Sequence, residues 1–147
     1  MRDAFRAVVE FNAKAGHKPP VGGPASPSRD AAALQRMLLR EEYSELMTAL
    51  ESTRDETQTS GSALAAIADG LADLIYVALG TAYHYGIDLP QVWEAVCEAN
   101  AAKVGPGSTK RADGKILKPA NWRHPDIEDL IDAQPAISDT YGDLING

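Results

Sequence analysis

Arg40-Glu41-Glu42-Tyr43-Ser44-Glu45-Leu46 and, further on, Asp69-Gly70-Leu71-Ala72-Asp73 decide how the chain folds. Both stretches lie in segments whose apolar spacing predicts helices, and both put acids where a helix should be apolar. Leu34, Leu38, Glu42, Glu45 and Ala49 fall at three- and four-residue steps and share one face. Ala66, Asp69, Asp73, Tyr76 and Gly80 form a second such stripe. Two pairs of carboxylates are therefore expected to meet inside one helical bundle.

Several buried, unpaired carboxylates are costly, because each loses hydration and repels its neighbours. Either a hard divalent cation or Lys and Arg partners must compensate them. No basic residue lies at helical spacing beside Asp69 and Asp73, which favours the cation. The competing reading is an ordinary solvent-facing charged surface, which a single pair would suit better than two pairs set among apolar neighbours. No histidine joins either motif, so zinc and copper are disfavoured, and an all-oxygen set suits Mg²⁺, with Mn²⁺ as the second choice. Glu41 is placed to orient or deprotonate a water, or simply to face solvent.

The length of 147 residues corresponds to one domain, residues 1–147, with a core of its own. The single cysteine, Cys97, excludes an intrachain disulfide. No signal-peptide pattern and no apolar run free of charges is evident, which predicts a soluble, cytoplasmic protein without a membrane partner. The net charge of -7 argues against nucleic acid as a partner. That charge is uneven: Lys103 to Arg123 holds six basic residues against Asp113 alone, leaving 8 basic and 20 acidic residues elsewhere. A basic segment on an acidic helical body suits an anionic small molecule such as a triphosphate.

Outward from the acidic stretches, the pattern predicts four main helices. The first runs from Asp3 to about Lys14, and Gly16 ends it. A Pro- and Gly-rich loop follows over 17–27. Ser28 caps the second helix, which reaches about Ser52. Thr53 to Gly61 is polar and turn-rich. The third helix, Ala63 to about Tyr85, is apolar nearly all round and is expected to be the central, covered one, with Gly86 at its end. Asp88-Leu89-Pro90 opens the fourth, which should stop near Gly105. Residues 105–147 read as an irregular arm and tail: Asp113-Gly114 marks a small hairpin or an irregular arm, Pro125-Asp126 opens a short helix to Ala133, and the last dozen residues look weakly structured. The third helix needs more cover than three amphipathic neighbours provide, so a homodimer or a dimer of dimers is expected.

Asn100 and Lys103, one turn apart, offer an amide and an ammonium to a phosphate chain, or form a polar helix end. Tyr76 continues the acidic stripe of the third helix, where its phenol is a hydrogen-bond donor for a carboxylate or a phosphate, or a core aromatic. Trp122 lies in the basic segment. His17, His84 and His124 form no pattern along the chain.

From Phe5 to about Ile127 the chain resembles the all-α nucleoside triphosphate pyrophosphohydrolases, above all the MazG-like and phosphoribosyl-ATP-pyrophosphohydrolase-like group, which is related to the dimeric dUTPases. The resemblance rests on Glu41 to Leu46, Asp69 to Val77, Gly86 to Leu89, Ala99-Asn100 with Lys103, and Asp113 to Lys118. It implies a four-helix bundle with its core shared in a dimer. The family's Glu-x-x-Glu motif falls on Glu42 and Glu45. In its Glu-x-x-Asp motif Asp73 takes the last position, but Gly70 stands where an acid belongs; Asp69, four residues before Asp73 on the same face, is the substitute.

The implied activity is Mg²⁺-dependent hydrolysis of a nucleoside triphosphate to the monophosphate and pyrophosphate, with dUTP one candidate substrate. Glu42, Glu45, Asp69 and Asp73 would hold the metal, and Glu41 and Glu42 would serve the water. Asn12, Tyr76, Asn100, Lys103, Lys115 and Lys118 would bind substrate, with Phe11 and Asn12 near the base. Phosphoribosyl-ATP hydrolysis is the alternative substrate reading, and a catalytically inactive nucleotide-binding or regulatory helical dimer is the alternative outside enzymes.

Overall fold

A computed structural model describes residues 1–52, 61–105 and 108–146. The expected turn over Thr53 to Gly61 lies almost wholly outside the described residues. The protein is all-α, and among the described residues there is no strand. The order is α1 (Arg2–Lys14), α2 (Arg29–Glu51), α3 (Gly61–His84), α4 (Leu89–Ala101), α5 (Ile127–Asp132), α6 (Ile137–Thr140) and α7 (Gly142–Ile145).

The ends of the long helices follow local chemistry. The Ser28 hydroxyl accepts a hydrogen bond from the Ala31 amide at 3.2 Å and starts α2. Gly86, at φ 71°, occupies the left-handed region after α3, while the Ile87 amide reaches back to the Ala82 carbonyl. Asp88 stands at the N-cap of α4, but its side chain does not cap the helix. Both carboxylate oxygens are engaged elsewhere, one by the Tyr141 hydroxyl at 2.9 Å and one by Gln91 at 2.7 Å. Helix α4 stops at Ala101, a turn earlier than its sequence suggests. Asp126 caps α5 through the Asp129 amide, as expected.

Helices α2 and α3 run antiparallel along most of their length and form the main pairing of the fold. Helix α1 crosses α3, and α4 packs chiefly on α1 and α5. The core sits at one end of the α2–α3 pair. It is built from Phe5, Val8 and Val9 of α1, Leu79, Ala82 and Tyr83 of α3, and Ile137 and Tyr141 of the tail. Phe5 and Tyr141 meet edge to face, with ring centroids 5.5 Å apart.

Two expectations are corrected here. The last dozen residues are not weakly structured: Ile137 and Tyr141 are each 1 % exposed, and the chain end is fixed through the Asp88–Tyr141 hydrogen bond. Pairing with distant residues stabilises α6 and α7, which are far too short to persist alone. Nor is α3 covered all round. Only its last two turns are largely buried, through Leu79, Ala82, Tyr83 and His84, whereas Leu64, Leu71, Ile75 and Tyr76 stay exposed in the single chain, as do Met37, Tyr43 and Leu50 of α2. Helix α3 is long and apolar enough by length and composition to cross a membrane. It nonetheless carries Asp69 and Asp73 at its middle and packs along α2.

Among its described residues the basic arm contains a tight reversal and no extended strand. Lys110 and Ile116 form an isolated antiparallel bridge around Gly114, at φ 86°. Arg111 and Asp113 pair across the turn.

Candidate active site

The acidic residues meet where α2 and α3 come closest. Gly70 is buried against Leu46: a Cβ added to the glycine would lie 3.2 Å from the Leu46 Cα and 3.3 Å from its Cβ. A side chain at position 70 would therefore require Leu46, backbone included, to give by a few tenths of an ångström. Beside this crossing Glu45, Asp69 and Asp73 line an open cleft of about 440 Å³, together with Ser44, Thr48 and Ser52.

Glu42 lies one turn before Glu45 and is half-buried. Its carboxyl is raised above the ordinary carboxylate range, first by loss of hydration and then by the charges of Asp73, Glu45, Glu41 and Asp69. The two acidic stripes thus share one electrostatic field. Among the described residues no lysine or arginine forms an ion pair with any of these acids. Equally, no three acidic, histidine or cysteine side chains among them are already gathered closely enough to hold a metal ion. An uncompensated set of oxygen donors fits Mg²⁺ or Mn²⁺, which coordinate oxygen and keep several waters between themselves and their carboxylates.

Tyr76 sits on the same seam but turns to Phe11, which it meets edge to face at 5.9 Å. Asn12 is buried nearby, and its amide donates to the Val8 carbonyl. The basic candidates lie elsewhere. Lys103 donates to Asn100 Oδ1 at 2.6 Å, and with Lys118, Trp122 and His124 these residues line a second cleft of about 340 Å³ between α4 and the arm. Lys115 is exposed on the hairpin. No residue lines both clefts, and none of the lysines forms an ion pair with the carboxylates among the described residues.

Sequence reasoning missed how the second cleft is held together. The indole of Trp122 donates to the Ala99 carbonyl, and Lys118 and Lys103 stand over its ring at 4.1 and 5.0 Å from the centroid. It also missed Gln35 and the pairing of His17 with His84, whose rings are 5.1 Å apart. None of these carried a signal in the sequence, since each depends on burial or on contacts made only in the fold.

The family model described as phosphoribosyl-ATP pyrophosphohydrolase matches residues 12–100, from the end of α1 to the end of α4. No curated protein matches the chain. The match covers more than half of the sequence and contains both acidic motifs. The chain therefore belongs to the phosphoribosyl-ATP pyrophosphohydrolase family, within the MazG-like all-α nucleoside triphosphate pyrophosphohydrolases, enzymes that hydrolyse phosphoric anhydride bonds.

Proposed function

We propose that the protein hydrolyses the α–β anhydride of a nucleoside triphosphate, giving the monophosphate and pyrophosphate. The observation that carries this reading is the set of uncompensated carboxylates, Glu42, Glu45, Asp69 and Asp73, grouped around the Gly70–Leu46 crossing. These four would hold Mg²⁺ or Mn²⁺, which supplies positive charge for the phosphate oxygens when bound. Glu41 and Glu42 orient a water and take its proton as its oxygen bonds to phosphorus and the bridging P–O bond breaks.

Asn100, Lys103, Lys115 and Lys118 would carry the remaining phosphate charge. Because they lie on a separate cleft of the same chain, a homodimer is the arrangement in which one copy's lysines serve the other copy's carboxylates. The exposed apolar residues of α2 and α3 support such pairing.

The family match favours a second substrate reading, phosphoribosyl-ATP, with the same bond chemistry. The packing of Gly70 against Leu46 offers a reason for the departure other than lost activity, which weighs against an inactive binding module. The test is pyrophosphate release from dUTP, the other common nucleotides and phosphoribosyl-ATP, with and without Mg²⁺ or Mn²⁺. Metal-dependent release is expected. A folded, metal-binding protein that releases none would refute the reading.

A further inference from the structure

His17 and His84 meet only through the fold, with ring centroids 5.1 Å apart and planes at 71° to each other. His17 opens the loop that follows α1, directly after Gly16, whose φ of 79° turns the chain. Its backbone is held on both sides. The His17 amide donates to the Asn12 carbonyl at 2.9 Å, and its carbonyl accepts from the Tyr83 hydroxyl at 2.8 Å. Farther along, the Ala25 amide donates to the Tyr85 carbonyl at 3.0 Å. The stretch 17–25 is therefore strapped across the end of α3, and His17 is its first anchor.

Nothing around the pair offsets a positive charge. His84 is only 9 % exposed and, with His17, lines a cavity of about 150 Å³ between α1, α2 and α3. Toward that cavity α1 presents the neutral amide of Asn12, α2 that of Gln35, and α3 the phenol of Tyr76. Tyr83, whose ring centroid lies 5.7 Å from that of His84, spends its hydroxyl on the His17 carbonyl. On the loop side Lys18, itself a cation, lines a neighbouring cleft, to which the tail adds the uncharged Ser138, Ile145 and Asn146. No acid lines either hollow, and neither imidazole forms an ion pair among the described residues. Burial, and after it the neighbouring His17, lowers the basicity of His84.

His17 is also the one residue common to the cavity and to the neighbouring cleft, which holds about 360 Å³. While both rings are neutral they pack edge to face and His17 stands between the two hollows. Two imidazolium rings at this separation repel each other. His84 is held within the packing of α3, whereas His17 is exposed, so His17 is the ring that gives way.

We propose that His17 and His84 form an acid-operated latch on the 17–25 loop: the neutral pair keeps the loop closed on α3, and protonation of the pair expels His17, frees the loop and opens the cavity into the cleft. The open form binds protons more readily than the closed one, so by linkage opening grows as pH falls below the ordinary imidazole value of 6.5. The latch does not depend on the hydrolase reading, since neither ring lies among the carboxylates that carry it.

The experiment measures amide hydrogen exchange in the full chain at about pH 7.5 and about pH 5.5, corrected for the intrinsic effect of pH. On acidification the His17 and Ala25 amides should lose protection by about tenfold or more, while core amides of α3 such as Leu79 keep theirs. In His17→Phe, which keeps an aromatic ring against His84 but cannot titrate, the loss should vanish. His84→Gln, with an uncharged polar side chain in the cavity, should abolish it as well. Circular dichroism checks that both variants fold, and the exposed position of His17 makes its replacement the decisive one should His84→Gln fail to fold. Unchanged protection of the loop in the wild type, a loss that persists in His17→Phe, or an equal loss at the core amides overturns the proposal.

Discussion

Gly70 and Leu46 touch across the α2–α3 crossing so closely that the glycine's missing side chain is part of the packing. The same contact places Asp69 and Asp73 opposite Glu42 and Glu45. Gly70→Glu, which restores the strict acidic motif, should therefore separate the helices and destabilise the protein by about 1–3 kcal/mol without raising activity. Gly70→Ala should cost less, because it gains about 1 kcal/mol of helix propensity against the overpacking. Thermal unfolding and pyrophosphate release of the two variants check this, and a stable, faster Gly70→Glu enzyme would contradict it.

Glu45→Ala and Asp73→Asn each remove an oxygen donor from the cleft. Turnover should fall by about two orders of magnitude or more, in line with the loss of a preorganised electrostatic group. Because both residues are exposed, helicity should be unchanged. Mn²⁺ binding followed by electron paramagnetic resonance should weaken in parallel; a variant that keeps its rate removes that residue from the site.

The raised carboxyl of Glu42 implies a pH dependence of stability. Below the ordinary glutamate value of 4.5 the group is protonated in both folded and unfolded chains and contributes nothing. Above its raised folded value it is ionised in both, and the folded state bears the repulsion. The metal-free protein should therefore lose stability as pH rises through this interval. Melting curves across that range should show the decline, and Mg²⁺ or the Glu42→Gln substitution should flatten it.

Tyr141→Phe leaves Asp88, 2 % exposed, without one of its two side-chain donors. The expected loss is about 1–3 kcal/mol. Tyr141→Ala also empties a filled core position and should cost about 3–5 kcal/mol. The hydroxyl itself is pushed up to about 12 by burial and by Asp88, so it should stay protonated throughout an alkaline titration monitored by tyrosine absorbance until the fold gives way.

Trp122 positions Lys103 and Lys118 beneath its ring and ties the arm to α4. In Trp122→Phe an aromatic face remains, and the KM for nucleotide should rise only a few-fold. Trp122→Ala should raise KM by about tenfold with kcat little changed, since the loss falls on binding and not on the reacting atoms. A fall in kcat alone would place Trp122 in a different role.

The four long helices were legible because their signals are local: Ser28 caps α2, Gly86 ends α3, and the apolar steps between them have helical spacing. The facing of the two acidic pairs was legible for the same reason, since Glu42, Glu45, Asp69 and Asp73 mark faces of single helices, but Glu45, Asp69 and Asp73 lie exposed on an open cleft and not inside the bundle as expected. What stayed hidden depends on residues far apart in the chain. Tyr141 is ordered by Asp88, 53 positions away, and His84 meets His17 only through the fold. Gln35 looks like an ordinary polar residue until its burial is known, and Gly70 looks like a lost acid until Leu46 is seen beside it.

The junction of α1 with the tail has a consequence for how the protein is made. Phe5 waits for Tyr141, and Arg6 pairs with Asp143, 137 residues later. Contacts so distant in sequence close late and slow the folding reaction. Until they close, the side of Phe5 that Tyr141 covers stays bare even where α3 already packs on α1. A product cut short before Ile137 never covers that side, so the architecture itself exposes incomplete copies to chaperones and proteases.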